Sequence, residues 1–340
     1  MIYGIVCEAI DELVANLLLY QFFRYRRRGR AVGPDANECP HLYEGNLSRF
    51  FAPAPVAVEL DLAGTTPPGT GCPAARDFRF PSAVMTAWPE NNQVWCRHWA
   101  APRSIRPLTL VGVHGIVQLG SSWFSSLANR LAPAGIDVVM MDAPFNHRRT
   151  PAGYRPGQLI LGGDLGHQLA VSRQGVLDLW RLVVSLQQMG RRVGLLGVSY
   201  GGWLSLLTGL LADDLEFIVA IAPPADLLHQ LRRGGTLIRA VRAGLGQDVF
   251  KIHDLDQVAR PILPAEWQPR LSADKVVLHA GRYDRFVSKT AIENLSRLWG
   301  ARLVLHNEAH CRLTMSHRFM TVAADEIAGF WPHAPDQVST

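Results

Sequence analysis

The pentapeptide Gly197-Val198-Ser199-Tyr200-Gly201 restricts the fold of this chain more than any other stretch. It follows an apolar run of strand length, 192–196, and precedes an apolar run, 202–211, that is typical of a buried helix. A sharp strand-to-helix turn leaves the serine exposed at its top, and larger residues at the two glycine positions would clash where strand and helix meet. The context therefore predicts a nucleophile elbow carrying Ser199; the alternative is a glycine-rich turn with an exposed serine.

Strand-like and helix-like segments alternate over most of the chain. After a predicted antiparallel hairpin, the pattern predicts buried strands separated by amphipathic helices, and an insertion of mixed character at 223–270. Such alternation favours an α/β fold with a mostly parallel, doubly wound sheet and helices on both faces. The predicted strands cover 78–86, 93–100, 108–113, 136–141, 192–196, 216–222, 275–280 and 302–306, and the main helices 122–131, 168–189, 288–299 and 316–331.

The same pattern divides the chain into three parts. Residues 1–75 form an N-terminal helix and an irregular, Pro- and Gly-rich extension, 76–332 form the α/β domain with a small cap at about 223–270, and 333–340 form a tail. A chain of 340 residues that is 48% apolar can bury a core of this size.

A serine hydroxyl is a weak nucleophile and needs an adjacent base, which in turn needs an acid to orient it. His310 lies four residues after the last predicted strand, and Asp284 follows the preceding strand in Gly281-Arg282-Tyr283-Asp284. Because carboxyl ends of parallel strands gather at one edge of a sheet, these side chains are expected to meet Ser199 there. Asp226, after the strand that precedes the cap, is the rival acid.

Stabilising the oxyanion of an acyl-transfer intermediate requires backbone N–H groups. Tyr200, at the start of the helix after the nucleophile, is expected to supply one of them. The second should come from the loop after His114-Gly115, from Ile116 or alternatively Val117. His114 itself is a candidate substrate-binding residue, although a structural role is the more common one for such a histidine.

Three further groups are candidates for ligand contacts. Arg148 and Arg149 could clamp a carboxylate or phosphate, or lie in a solvated loop paired with Asp164. Aromatic side chains could line an acyl pocket or pack in the core, namely Trp123, Phe124 and Trp203. The spacing of four potential ligands matches no metal motif, so no metal site is predicted from Asp142, His147, Asp164 and His167.

Over about residues 76–332 the chain resembles the α/β-hydrolase superfamily, on the strength of His114-Gly115, the elbow, the turn ending at Asp284, and His310. It is more loosely similar to the abhydrolase-domain-containing group with an N-terminal helix. The order Ser, Asp, His is that of this superfamily. The resemblance implies an α/β-hydrolase fold and cofactor-independent hydrolysis of a small acyl ester, thioester or amide by a carboxylesterase-type enzyme. Peptidases, acyltransferases and catalytically idle scaffolds of the same fold are the alternatives.

Charge and cysteine content bear on partners and compartment. The net charge of +5 arises from five arginines at 24–30, so it does not argue for nucleic-acid binding. Five cysteines with irregular spacing favour free thiols in a reducing, cytoplasmic environment. The oligomeric state is left open by the sequence.

Residues 2–28 are expected to form a helix that ends in the arginine cluster. Its apolar stripe is predicted to be buried against the domain. Contact of residues 1–30 with a membrane surface is the alternative, disfavoured because Glu8, Asp11 and Glu12 would oppose anionic lipid. The stripe consists of Ile2, Ile5, Val6, Ile10, Leu13 and Leu17.

Overall fold

The computed structural model describes residues 2–25, 31–34, 36–62, 75–101, 108–116, 120–245 and 254–330. Eight strands form one sheet in the order β1-β2-β4-β3-β5-β6-β7-β8. β1 pairs antiparallel with β2 and β2 with β4, whereas the remaining neighbours are parallel. The strands are β1 (Ala75–Pro81), β2 (Gln93–Trp99), β3 (Leu108–Val113), β4 (Ile136–Met141), β5 (Arg192–Val198), β6 (Leu215–Ile221), β7 (Val276–Gly281) and β8 (Arg302–His306).

Helices cover this sheet. Every residue of β3, β4 and β7 is buried, which requires packing on both faces of the sheet. Helix α3 packs with α12, and α5 with α6. The helices are α1 (Ile2–Tyr25), α2 (Leu47–Phe50), α3 (Ser122–Leu131), α4 (Gln158–Leu161), α5 (Leu165–Gln188), α6 (Tyr200–Gly209), α7 (Leu227–Arg233), α8 (Thr236–Leu245), α9 (Leu255–Ala259), α10 (Lys289–Trp299), α11 (His310–Met315) and α12 (His317–Phe330).

The predicted α/β fold class is confirmed, and the main differences lie at element ends. Helix α5 begins at Leu165, ahead of the predicted 168, because the Asp164 carboxylate accepts the His167 N–H and caps the helix. Strand β1 ends at Pro81 rather than 86, because the Ser82 hydroxyl and Ala83 N–H bind the buried Asp178 carboxylate. The predicted tail 333–340 lies outside the described residues.

Helix α1 docks on the domain, but through a different face from the predicted one. The expected stripe is largely solvent-exposed, with Ile5 at 63% and Leu13 at 71% exposure, so the prediction that it is inaccessible was wrong. The helix is apolar on nearly every side, so hydrophobicity does not single out one face. The face with small side chains lets the helix backbone lie close to the domain. That face consists of Gly4, Cys7, Asp11, Ala15 and Leu18.

The exposed stripe also changes the argument about lipid. Asp11 is buried, and Glu8 and Glu12 lie 3.9 and 4.0 Å from the Arg285 guanidinium, so they face the domain side. Contact of residues 1–30 with a membrane surface stays the untested alternative, and one of its conditions, an exposed apolar stripe, is met. In the described part of the chain, no helix has the length and apolar character needed to cross a bilayer.

A matched pair of alanines in α1 tests its docking. Ala15 is buried and Ala9 is exposed. Ala15→Leu overpacks the interface and should cost about 1–3 kcal/mol of stability, seen as a lower Tm, whereas Ala9→Leu should change it by less than about 0.5 kcal/mol. Equal melting temperatures for the two variants would contradict the docked face.

Candidate active site

The turn after β5 holds its serine in strained backbone geometry. Ser199 has φ 53° and ψ −117°, a combination that non-glycine residues rarely adopt. A Cβ at Gly197 would lie 2.3 Å from the Gly201 carbonyl oxygen, and one at Gly201 would lie 2.1 Å from the Val113 carbonyl oxygen. The two glycines are therefore required by backbone contacts between β5, α6 and β3, and they leave the serine at the carboxyl end of the sheet.

The structure brings Ser199, His310 and Asp284 together, although they come from three separate loops. His310 Nε2 lies 3.0 Å from Ser199 Oγ, and His310 Nδ1 lies 2.8 Å from Asp284 Oδ2. The imidazole stacks on the Phe286 ring with centroids 4.8 Å apart. Hydrogen-bond contact on both ring nitrogens permits the histidine to accept the serine proton while the carboxylate fixes its tautomer.

Asp284, rather than Asp226, occupies the position of the acid. Its second oxygen, Oδ1, accepts the backbone N–H groups of Phe286 and Val287, each at 2.8 Å, which fixes the direction of the carboxylate. The Asp226 carboxylate instead accepts the His229 N–H at 2.8 Å and caps α7. Asp226 therefore stabilises the start of a cap helix, whereas the His310 imidazole is hydrogen-bonded to Asp284.

The surroundings of His310 act on its pKa in opposite directions. Burial favours the neutral imidazole, but the charge and hydrogen bond of Asp284, together with the charge of Asp11, outweigh burial and raise the pKa above its ordinary value. The histidine must be neutral to act as a base. Activity of this site should consequently be lost as the pH falls through a value above ~6.5.

Tyr200 and Ile116, the two predicted sources of oxyanion-stabilising N–H groups, both line the cavity at Ser199. Tyr200 begins α6, so its N–H is one of the unpaired donors at a helix N-terminus, and Ile116 lines the same cavity as Ser199. Neither N–H has an acceptor among the described residues. The alternative donor, Val117, lies outside the described residues.

A cavity of about 160 Å³ opens beside Ser199 under the cap helices. Among the described residues no charged side chain lines it, and α7, α8 and α9 supply a mostly apolar wall from above, with Gln230 as a polar member. Trp203, for which the sequence favoured core packing over a place in an acyl pocket, is buried and also lines the elbow side of this cavity. The apolar lining residues of these three cap helices are Leu227, Leu228, Leu231, Ile238, Val241, Leu245, Leu255 and Ala259.

Arg148 and Arg149 do not line this cavity, so the predicted anion clamp is a misassignment. Arg149 is fully buried in an ion pair with Asp178 at 2.7 Å, and Arg148 pairs with Asp77 at 2.5 Å. The alternative pairing with Asp164 is also wrong, because that carboxylate caps α5. The two arginines attach the segment after β4 to the rest of the domain.

The other two predicted ligand-contact residues, His114 and Trp123, are buried and contact neighbouring protein groups. His114 is buried; its Nδ1 lies 2.8 Å from the Gly115 carbonyl oxygen and its Nε2 accepts the Ala143 N–H at 3.1 Å. Those two bonds use both ring nitrogens, although Asp142 and His147 lie near enough to form a metal-sized cluster with it. Burial and the neighbouring His147 lower the His114 pKa to about 4. Trp123 packs on Phe124 and is absent from the cavity lining.

Asp11 of α1 is the contact that sequence reasoning missed. Its carboxylate accepts the N–H groups of Arg285, His310 and Cys311, which follow the acid or belong to the base segment. The available signal was an acid at position 11 in a row of small or apolar residues spaced as one helix face. The larger side chains of the opposite face have the stronger hydrophobic periodicity and therefore determined the predicted face.

Comparison of sequences finds few known proteins that resemble the chain. No protein-family model matches it. Two strains of Mycobacterium tuberculosis have proteins that are 27% identical over 170 residues, named "Uncharacterized protein MT2702" and "Uncharacterized protein Rv2627c". The match covers 48% of this chain and only 38% of each relative, so the chain spans well under half of their length.

Similar solved structures are hydrolases of low sequence identity. An esterase of Pyrobaculum calidifontis superposes with a TM-score of 0.50 at 14% identity, covering 75% of this chain and 83% of its own. Acylaminoacyl peptidase of Pyrococcus horikoshii gives 0.56 at 11%, covering 79% and 43%. Est1E of Butyrivibrio proteoclasticus, with ferulic acid bound, gives 0.50 at 15%, covering 70% and 96%.

Strand order, elbow and structural neighbours together define the class. The chain has the α/β-hydrolase fold, with a serine on the elbow and a histidine–aspartate pair at the same edge of the sheet.

Replacing the two candidate acids tests their assignment. Asp284→Asn removes the carboxylate that fixes the histidine tautomer and should lower kcat by roughly 10⁴-fold. Asp226→Asn keeps an oxygen that can cap α7 and should leave kcat within about twofold. The measurement is ester turnover by both variants at equal folded concentration; the opposite ranking would transfer the acid to Asp226.

Proposed function

We propose that this protein is a serine hydrolase that cleaves neutral acyl esters with an apolar acyl group through an acyl-enzyme. The observation that carries the proposal is the continuous pair of contacts from Ser199 Oγ to His310 Nε2, at 3.0 Å, and from His310 Nδ1 to Asp284 Oδ2, at 2.8 Å. A serine hydroxyl with such a base and acid can attack a carbonyl carbon without a cofactor.

The proposed reaction has two halves. Ser199 Oγ attacks the ester carbonyl as His310 takes its proton, and the amides of Tyr200 and Ile116 stabilise the tetrahedral oxyanion. His310 then returns that proton to the leaving alkoxide, and the acyl group remains on the serine. Water activated by His310 attacks the acyl-enzyme, and the collapse of the second tetrahedral intermediate regenerates Ser199.

The cavity supports an apolar, neutral substrate of modest size. Its volume of about 160 Å³ is close to that of an engineered protein cavity of 150 Å³ that binds benzene, so it has room for roughly six acyl heavy atoms. An acidic substituent would be buried there without a cation, which is costly. Amides, thioesters and acyl transfer to a second nucleophile use the same first half-reaction and are the alternative activities of the site.

A catalytically idle scaffold is the alternative from outside the enzyme class. The aligned contacts of Ser199, His310 and Asp284 favour an active site over a binding surface. A cytoplasmic location is part of the proposal: the described cysteines are free thiols, at Cys7, Cys39, Cys96 and Cys311.

Reaction with a fluorophosphonate tests the nucleophile. The wild-type protein should be labelled at Ser199, and Ser199→Ala should lose both labelling and several orders of magnitude of esterase activity while its Tm stays within a few degrees. Ser205→Ala provides the control, because its buried hydroxyl bonds the Gly201 carbonyl oxygen within α6 and faces no substrate. Wild-type turnover by a folded Ser199→Ala variant, or a wild-type protein inert to both probe and esters, would refute the proposal.

A series of p-nitrophenyl esters tests the cavity. Each methylene buried contributes about 0.8 kcal/mol, so kcat/KM should rise about fourfold per methylene until the cavity is full. Val241→Phe narrows the cavity from the cap and should move the optimum to a shorter acyl chain, with acetate little changed. Arg239→Phe places the same ring on an exposed position of α8 and should leave the optimum unchanged. An optimum that Val241→Phe does not move would place the acyl group elsewhere.

A further inference from the structure

The carboxylate of Asp11 joins α1 to the two loops that carry the acid and the base. Asp11 Oδ2 accepts the His310 N–H at 2.9 Å and the Arg285 N–H at 3.1 Å, while Oδ1 accepts the Cys311 N–H at 2.9 Å. Arg285 follows the acid directly in the sequence. One side chain therefore fixes the backbone at the base and beside the acid.

Helix α11, which begins at His310, has no local cap. The side chain at its N-cap position is that of Ala309, which cannot accept a hydrogen bond. Asp11 supplies the missing acceptors from a position 299 residues away in the sequence. The first residue of α11 is the base itself. The cap therefore fixes the position of the backbone from which the imidazole extends.

The rest of the α1 interface surrounds Asp11 without replacing it. The Tyr3 hydroxyl donates to Glu308 at 2.7 Å, and a Cβ at Gly4 would lie 2.7 Å from the Tyr283 ring. Asp11 is fully buried, and no ion pair among the described residues includes it. A buried carboxylate without a cationic partner is costly to desolvate, so docking alone would be served better by an apolar side chain.

We propose that Asp11 is a positioning residue of the active site, which holds His310 and the Asp284 loop in register with Ser199 and makes α1 part of the catalytic unit. The proposal deepens the serine-hydrolase function proposed above and rests on it. In this assignment α1 contributes geometry rather than a group that touches substrate.

Two carboxylates act on the imidazole of His310. Asp284 is bonded to it, and Asp11 lies at its backbone; both charges favour the protonated ring. The other neighbours, Ser199 and Phe286, are uncharged. Cys311 stays a neutral thiol because burial, and then the charge of Asp11, raise its pKa.

Ionisable groups of the flanking segment are paired with one another. The Glu308 carboxylate accepts the Tyr3 hydroxyl and lies 3.0 Å from the Arg312 guanidinium. On the other side, Arg285 faces Glu8 and Glu12. Removing the charge at position 11 therefore leaves Asp284 as the carboxylate that supports imidazolium, and the His310 pKa should fall.

The test compares Asp11→Asn with Ala15→Leu, which disturbs the same helix interface but keeps the Asp11 carboxylate. Asn has the shape of Asp but one acceptor oxygen fewer and no charge. Asp11→Asn should lower kcat between about 10- and 100-fold with KM changed less than about threefold, because a displaced base costs rate rather than binding. Ala15→Leu should keep wild-type kcat below its Tm.

The pH profile supplies a readout that loss of stability alone would not move. Since a lower pKa keeps His310 neutral to lower pH, the acid limb of kcat/KM should move to lower pH in Asp11→Asn and stay in place in Ala15→Leu. An unchanged kcat and acid limb in Asp11→Asn, or equal losses in both variants, would overturn the proposal.

A second variant and a second measurement cover the remaining outcomes. Asp11→Ser keeps one short acceptor and should lose kcat as Asp11→Asn does; failure of both to fold where the wild-type protein folds would make Asp11 a folding determinant and overturn the proposal. NMR titration of the His310 imidazole needs no turnover. A wild-type protein inert to esters and fluorophosphonate refutes the hydrolase function, whereas a His310 pKa that is unchanged by Asp11→Asn refutes the positioning role.

Discussion

The close backbone contact at the elbow is the constraint on which the rest of the site depends. A Cβ at Gly197 would lie 2.3 Å from backbone of α6, and one at Gly201 would lie 2.1 Å from backbone of β3, so β5 and α6 could not meet at this angle. The contact forces Ser199 to a positive φ, and that strain is held by a sheet whose central strands are buried throughout. A rigid nucleophile fixes in turn where a base and a carboxylate have to lie.

Buried carboxylates have two roles in this molecule: one neutralises a buried arginine, and two others lie next to His310. Asp178 neutralises the fully buried Arg149 and so attaches the segment after β4 to α5, at a distance from the serine. Asp284 and Asp11 have no cationic side chain opposite them among the described residues. Backbone N–H groups hold their oxygens; the imidazole also binds Asp284, and the Cys311 thiol also binds Asp11. Their charge therefore favours the protonated form of His310, as the proposed reaction requires, instead of being cancelled by a permanent cation.

Sequence reasoning predicted the parts of this arrangement that local patterns control. Buried strands and amphipathic helices have distinct periods, and residues that follow parallel strands share one edge, so the meeting of Ser199, Asp284 and His310 followed from their order. The orientation of α1 did not, because its large side chains had the stronger periodicity while docking required the small ones at Gly4, Cys7 and Ala15. The partners of Arg148 and Arg149 could not be predicted either. The local sequence around an arginine near a strand end is the same whether its side chain binds a ligand or a buried aspartate.

The separation between Asp11 and His310 has a consequence for how the protein is made. A ribosome that adds ~5–20 residues per second completes α1 about 15–60 s before the segment that α1 caps. During that interval α1 lacks the backbone N–H groups at His310 and Cys311 that its Asp11 carboxylate binds. Closure of such a long loop carries an entropy cost that only late, cooperative packing offsets. Assembly of the proposed serine centre is thus coupled to synthesis of the segment at 310, so a nascent chain that has not reached it lacks both the base and the N–H groups that Asp11 binds.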